Sequence, residues 1–356
     1  MAADQVLSIN VVLPNGRFVT ADSTSYSDLF WALCGGGGST FGVVVSVTVK
    51  AYPDLPCAAA SFSFISSPGD MARISQGDKS NNDFWAVQKV FLGGLARQAD
   101  AGIYSYWLIS PIAAVPGSMI FVMTAIFAPN MTAVELANSM KPITDKATEV
   151  GISLDVAPKS YPGFYPAWDV SFPPSSEPIG GYNTFSGSRL FPRENFENAG
   201  LWEKTFGVLR SEISRSNALV VGLSLSARLR SGNRDNAIHP AWRKAVAHLM
   251  LGSSYDPLLR NQTEIKNIHD KLTNEYLQSW RDMTPGSGSY LNEADVNEPN
   301  FQSAFWGSKY PELYRIKQKY DPDGVFYAAT AVGSEDWATA SQYERLGRLC
   351  RINAGN

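Results

Sequence analysis

Two stretches carry residues whose types and spacing could do chemistry. The first is residues 35–38, four consecutive glycines followed by Ser39, Thr40, Phe41 and Gly42. Glycine loses more backbone freedom on folding than any other residue. Four together call for backbone conformations closed to other residues, or for a partner that a Cβ would block. Bare N–H groups facing an anion or a planar cofactor are one solution, and a tight connection inside a core is the other. No lysine follows the glycines, so this is not a phosphate loop of the Lys-Ser/Thr type. The second stretch is YLNEAD, residues 290–295, after a glycine-serine turn. Read as a strand, it puts Tyr290 and Asn292 on one side and Leu291 and Glu293 on the other. If the glycine loop holds a cofactor, Tyr290 and Asn292 can meet its ring while Glu293 or Asp295 serves as a base. The alternative is a strand end whose carboxylates cap the next loop.

Other chemistries find little support. There is no Gly-x-Ser-x-Gly elbow, and no histidine sits in a loop near a candidate nucleophile. Three widely spaced cysteines, Cys34, Cys57 and Cys350, make neither a disulfide framework nor a zinc pattern. His239, His248 and His269 fall on helix-like segments without ligand spacing, so no metal site is expected. A net charge of -3 gives no electrostatic case for nucleic acid, and no apolar run approaches the roughly 20 residues that span a bilayer. The first residues show no basic-then-apolar leader. Nine Trp, fifteen Tyr and eighteen Phe suit a cavity for a flat or apolar small-molecule substrate.

The elements that must position these residues can be read in order. Residues 4–20 form a hairpin around Pro14-Asn15-Gly16. The glycine loop lies between a short helix and a valine-rich strand, an order opposite to that of the dinucleotide fingerprint. After a proline-marked break at residues 52–56, strands and helices alternate, and a helix from Thr132 opens with a capping box to Glu135. This rhythm implies an α+β fold in which an antiparallel sheet is covered by helices. Residues 158–195 are rich in Pro, Gly, Ser and aromatics, including Tyr161, Phe164, Tyr165, Trp168, Phe172 and Tyr182, and read as a lid over a cavity. The strand near residue 219 finds its partner in HPAWRKAVAHLML, a segment expected to turn helical. A helix over residues 310–320 precedes an Asp-Pro-Asp-Gly turn.

The residues also carry a resemblance. AADQVLSINVVLPNGRFVTA (2–21), DLFWALCGGGGSTFGVVVSVTVKAYP (28–53), AIHPAWR (237–243), YLNEAD (290–295), YDPDGVFY (320–327) and VGSEDW (332–337) occur in family order. On them the chain resembles FAD-linked oxidoreductases of the berberine-bridge-enzyme-like group, within the vanillyl-alcohol-oxidase (PCMH-type) flavoprotein superfamily, and its fungal members in particular. The resemblance implies three parts: residues 1–56 as the second half of an FAD-binding domain, residues 57–295 as the substrate domain, and residues 296–356 as a segment returning to the first. It implies that FAD takes a hydride from a small organic substrate, one of secondary metabolism among fungal relatives, while a base removes a proton. It sets Gly35, Gly36, Gly37, Gly38, Ser39, Phe41, Gly42 and Val43 against the FAD, with Tyr290 and Asn292 near the flavin. Many relatives carry a tyrosine where Glu293 stands.

Relatives also carry a long stretch before the position of Met1, with the pyrophosphate loop and the His and Cys that attach the flavin covalently. Neither attachment residue has a counterpart here, so the expectation is a PCMH-type domain that starts midway and holds FAD, if at all, without a covalent bond. Relatives are often secreted. Three readings follow: an FAD oxidoreductase given in part, a flavin-free isomerase or cyclase that reuses the substrate cavity, or an inactive remnant.

Overall fold

The computed structural model describes the chain except residues 39, 173–182, 217, 229–231, 233, 340–347 and 353–356. The expected hairpin is present. Strands β1 (Val6–Val12) and β2 (Phe18–Asp22) pair antiparallel around Gly16, whose φ of +79° suits the tight turn. Helix α1 (Ser27–Leu33) leads into the glycine loop, and β3 (Val43–Val49) returns along the other side of β1, giving the order β2-β1-β3. Ile9, Val11, Val19 and Ala21 alternate inward along β1 and β2 and pack with Leu29 and Ala32 of α1. Residues from the far end of the chain, Phe305, Trp306, Leu313 and Ile316, complete this small core.

The larger body is built on a seven-stranded sheet. Its strands are β4 (Cys57–Ile65), β5 (Tyr104–Pro111), β6 (Met119–Pro129), β7 (Lys159–Tyr161), β8 (Thr184–Pro192), β9 (Leu219–Ser224) and β10 (Ala245–Ser254). They lie in the order β7-β4-β6-β5-β9-β10-β8, antiparallel throughout. Between them run α2 (Pro68–Ser75), α3 (Asn82–Gly93), α4 (Leu95–Asp100), α5 (Ala133–Glu149), α6 (Phe164–Ser171), α7 (Glu194–Glu197) and α8 (Ala199–Ser216). Helices α9 (Gln262–Lys271), α10 (Leu277–Met283), α11 (Phe301–Trp306) and α12 (Tyr310–Tyr320) follow, then the short pair β11 (Trp337–Thr339) and β12 (Leu349–Arg351).

The α5 boundary follows the sequence signal. Thr132 caps the helix reciprocally with Glu135, and Gly151 (φ +72°) ends it. Phe62, Trp107, Phe121 and Leu249 line one sheet face and pack on Phe84, Phe91, Leu136 and Leu209 of the helices. Burying such side chains contributes on the order of 2 kcal/mol each.

The other sheet face is covered piecemeal. Near β4 and β6, Ala59, Ala125 and Phe127 meet Ala167 of α6. Near β8, Leu190 meets Ala227, Ala241 and Trp242. Between these two patches the strands present Tyr104, Tyr106, Leu223 and His248. The expected lid thus resolves partly into β7 and α6, and Tyr182 lies outside the described residues.

One expectation is overturned. The segment 239–251 holds the partner of β9 as expected, through Ala247–Leu251, but only Pro240–Arg243 makes a helical turn, of 3-10 type, and Ala245–Ser254 is a strand. Ala, Leu and Met favour helix by local propensity. Hydrogen bonds to β8 on one side and β9 on the other override that preference. His248 is therefore a strand residue.

Strand β3 is the edge of its sheet, and all its residues are exposed: Val43 at 55%, Val45 at 58% and Val47 at 47%. An open, apolar strand edge templates pairing with other chains. Replacing Val45 and Val47 by lysine in this chain should raise the monomeric fraction in size-exclusion chromatography and leave the thermal midpoint unchanged.

Candidate cofactor and active site

The glycine loop is fixed from behind before anything can be said of its front. A Cβ on Gly35, whose φ is +137°, would fall 2.4 Å from the Ile238 backbone nitrogen. One on Gly36 would fall 2.6 Å from the Ala32 carbonyl oxygen, and one on Gly42 would fall 2.7 Å from that of Val12. These three glycines are demanded by packing. The loop's carbonyls are gripped by the C-terminal helices. Trp306 Nε1 donates to the Gly35 carbonyl at 3.2 Å, and Lys317 Nζ donates to the Thr40 carbonyl at 2.7 Å. Lys317 also donates to Asp321 Oδ2 and to the Phe326 carbonyl, each at 2.6 Å.

Gly37 and Gly38 face outward. Gly37 meets only the Leu291 side chain closely, and a Cβ on Gly38 would have nothing within 4 Å. Together with Gly35, Thr40, Phe41 and Gly42 they line a cavity of about 330 Å³. Its opposite wall is Tyr290, Leu291 and Asn292, with His239, Trp242 and Trp306. Residues some 250 apart in the chain thus share one cavity. Gly36 is packed behind the loop, Val43 points elsewhere while Val44 lines the cavity, and Ser39 lies outside the described residues.

The 290–295 stretch is not a strand. Tyr290 is extended, and Leu291–Glu293 is a single 3-10 turn. The stretch hangs on the edge of β8, where Ser289 Oγ donates to the Ser188 carbonyl at 2.6 Å and Tyr290 N donates to Ser188 Oγ at 3.3 Å. Tyr290 and Asn292 still reach the same wall, joined by a 2.8 Å hydrogen bond from Asn292 Nδ2 to Tyr290 Oη. Glu293 turns away from them toward the partly covered sheet face. There its Oε2 lies 3.4 Å from His248 Nδ1. Burial pushes the half-buried Glu293 carboxyl above its usual range and pushes His248 down to about 4. Tyr104, pushed up to about 12 by burial and by the charges of Tyr106 and Glu293, lies on the same side.

Asp295, the other carboxylate considered as a base, is already committed. It is wholly buried, with Oδ1 2.7 Å from His269 Nε2, Oδ2 accepting from the Thr273 hydroxyl at 2.5 Å, and Oδ1 accepting from Asn297 N at 2.8 Å. Burial opposes its charge, but these bonds win and hold its pKa below the ordinary value. His239 is equally spent. Its Nδ1 accepts from Ala241 N at 2.8 Å, so its Nε2–H donates to the Ser303 carbonyl at 3.0 Å. Among the described residues no cluster of metal-ligating groups occurs. Cys34 and Cys57 are buried and Cys350 is exposed. Sequence reasoning missed His248, because a strand was read as a helix. The alternation Ala247, Leu249, Leu251 was the signal that could have placed His248 on the opposite face.

A carboxylate whose folded pKa is depressed stabilises the fold above its unfolded pKa, and this contribution is lost as pH falls through the folded value. Asp295→Asn should therefore lower the thermal midpoint at neutral pH. The gap to wild type should close in melts run well below about 3.9, the ordinary aspartate pKa.

Known proteins resemble this chain in sequence and in fold. The family described as "Berberine and berberine like" matches residues 289–333. An FAD-linked oxidoreductase of Gibberella zeae is 32% identical over 355 residues, which is 99% of this chain and 57% of that protein. A bifunctional decalin synthase of Penicillium decumbens is 30% identical, over 99% of this chain and 58% of that protein. The crystal structure of a VAO-type flavoprotein from Myceliophthora thermophila superposes with a TM-score of 0.82 at 27% identity, covering 99% of this chain and 60% of that one. The chain spans rather more than half the length of the curated relatives it matches. Over nearly its whole length the chain is similar to fungal FAD-linked oxidoreductases and to a VAO-type flavoprotein fold, and residues 289–333 match the berberine-like family.

Proposed function

We propose that this chain supplies one wall of the flavin site and the substrate-binding sheet of an FAD-dependent oxidoreductase acting on a small, flat organic molecule. The observation that carries this reading is the split of one short turn. Tyr290, Leu291 and Asn292 face the glycine loop across a shared cavity, and the next residue, Glu293, faces the partly covered sheet. The residues fit a flat cofactor, since the loop offers Gly37 and Gly38 without side chains and the opposite wall is aromatic. FAD, when bound, supplies the hydride acceptor. The loop's N–H groups and the Tyr290–Asn292 pair hold and orient it. Glu293, ionised and half-buried, accepts a proton from the substrate. The hold is non-covalent as far as this chain goes: no cysteine lines the cavity, and both nitrogens of His239, the histidine that does, are engaged.

A run of rings supports a flat substrate. Tyr106 meets Phe172 at 5.9 Å between centroids, Phe172 meets Trp168 at 6.3 Å, and Trp168 stacks on Tyr165 at 6.0 Å. The rings extend from the middle of the sheet to the outer side of α6. The decalin synthase among the relatives favours a second reading, a ring-forming or isomerising enzyme that needs no redox step.

Two variants test the proposal. Gly38→Phe fills open space at the cavity wall, so the fold should persist while FAD, followed by its absorbance near about 450 nm, binds at least about tenfold more weakly. Protein that stays colourless with added FAD yet turns over a substrate would establish the redox-free reading, and protein that does neither would leave an inactive remnant. Glu293→Gln should lower kcat by about 10²–10⁴. In the wild type, kcat/KM should rise with pH through a pKa above the ordinary glutamate value of about 4.3, because a base works deprotonated.

A further inference from the structure

We propose that His248 is a positioning residue for Glu293, the two forming one proton-accepting unit on the sheet face opposite the helices. The inference rests on the role given to Glu293 above. Strand β10 alternates, so Ala247, Leu249 and Leu251 enter the helix-covered core and His248 points the other way. Its cross-strand neighbours are Leu190 on β8 and Leu223 on β9. The rings of Trp242 and Tyr290 close over it, with centroids 5.6 and 5.9 Å away. Only 2% of His248 is exposed, and its Nε2 has no hydrogen-bond partner. A buried polar atom left unpaired costs stability, and a leucine would fill so apolar a site without that cost. An imidazole here therefore needs a reason other than packing, and its Nδ1 lies 3.4 Å from the Glu293 carboxylate.

A neutral imidazole carries one N–H and one lone pair. With Glu293 ionised, the proton belongs on Nδ1, pointed at Oε2, and the lone pair of Nε2 faces the apolar wall. The histidine then donates to the carboxylate, opposes the effect of burial and fixes the carboxyl orientation. When the substrate's X–H bond gives its proton to Glu293, the carboxylate becomes a carboxyl group and X keeps the electron pair. His248 neither gains nor loses a proton. The other titratable groups on this side of the pair are Tyr290 on the same turn and Tyr104 and Tyr106 on β5, Tyr106 being in register with Leu223, the neighbour of His248. Arg189 of β8 lies on the far face, bonded to the Thr284 hydroxyl and carbonyl.

The chain has only three histidines, so ¹⁵N NMR of histidine-labelled protein resolves them. As pH rises from about 4.3, the ordinary glutamate pKa, the His248 Nδ1 shift should show an inflection as Glu293 titrates, and that inflection should vanish in Glu293→Gln. His248→Asn, which keeps a donor near the Nδ1 position, should leave the pH profile of kcat/KM in place. His248→Leu should move the profile upward by about one unit, a tenfold change in the proton equilibrium. A His248 signal that is flat over this range, or unchanged in Glu293→Gln, overturns the proposal, as does an identical pH profile in His248→Leu. The titration needs neither cofactor nor substrate, so failure to bind FAD would count against the function proposed above and leave this readout intact.

Discussion

One buried ammonium ties the two ends of the chain together. Lys317 on α12 reaches out of the small core to the Thr40 carbonyl of the glycine loop, the Asp321 carboxylate and the Phe326 carbonyl, with only a few per cent of its surface exposed. A charge this deep is costly unless every donor is used, and here three donors meet three oxygens. Burial pulls its pKa down while Asp321 pulls the other way. The loop has little of its own to hold it, since glycines bring no side chains to pack. Its shape is imposed from outside by Lys317, by the Trp306 indole and by the backbone of residues 237–238. The cavity wall near the N-terminus is thus a product of residues near the C-terminus.

A second tie joins the same end of the chain to the large sheet. Arg243 meets Asp4 through two 2.7 Å contacts, and Asn236 adds a third donor to the same carboxylate. Burial opposes the Asp4 charge, but Arg243 overcomes it and holds the carboxyl far below its usual range. Together these ties explain why a small three-stranded sheet keeps a defined position against a seven-stranded one.

Much of this was legible in the residues. The Asn-Gly turn, the Thr132–Glu135 box and the apolar strands around residues 104–129 are local signals, and they appear where local physics puts them. The glycine loop and residues 290–293 could be recognised as partners only through resemblance, because their contact spans the whole chain. What could not be read was long-range in origin. His248 was hidden because strand pairing on both sides overrides a helical propensity. The 3-10 turn at Leu291–Glu293 was hidden because one strand edge, β8, holds it. The three histidines make the point sharply: one caps a turn and one anchors a buried carboxylate. The third faces Glu293 in an apolar pocket, and residue type alone does not distinguish them.

The turn at 290–293 has a consequence for how such a scaffold changes over time. Asn292, which lines the cavity, and Glu293, which meets the sheet, are successive residues of one corner, so they cannot be retuned separately by moving backbone. Tyr104, Tyr106 and Leu223 are different, since they stand on independent strands of a well-buttressed sheet. Side chains there can be exchanged one strand at a time, while the corner keeps the distance between the cavity wall and Glu293 constant. The fold divides the labour between a fixed joint and an exchangeable surface.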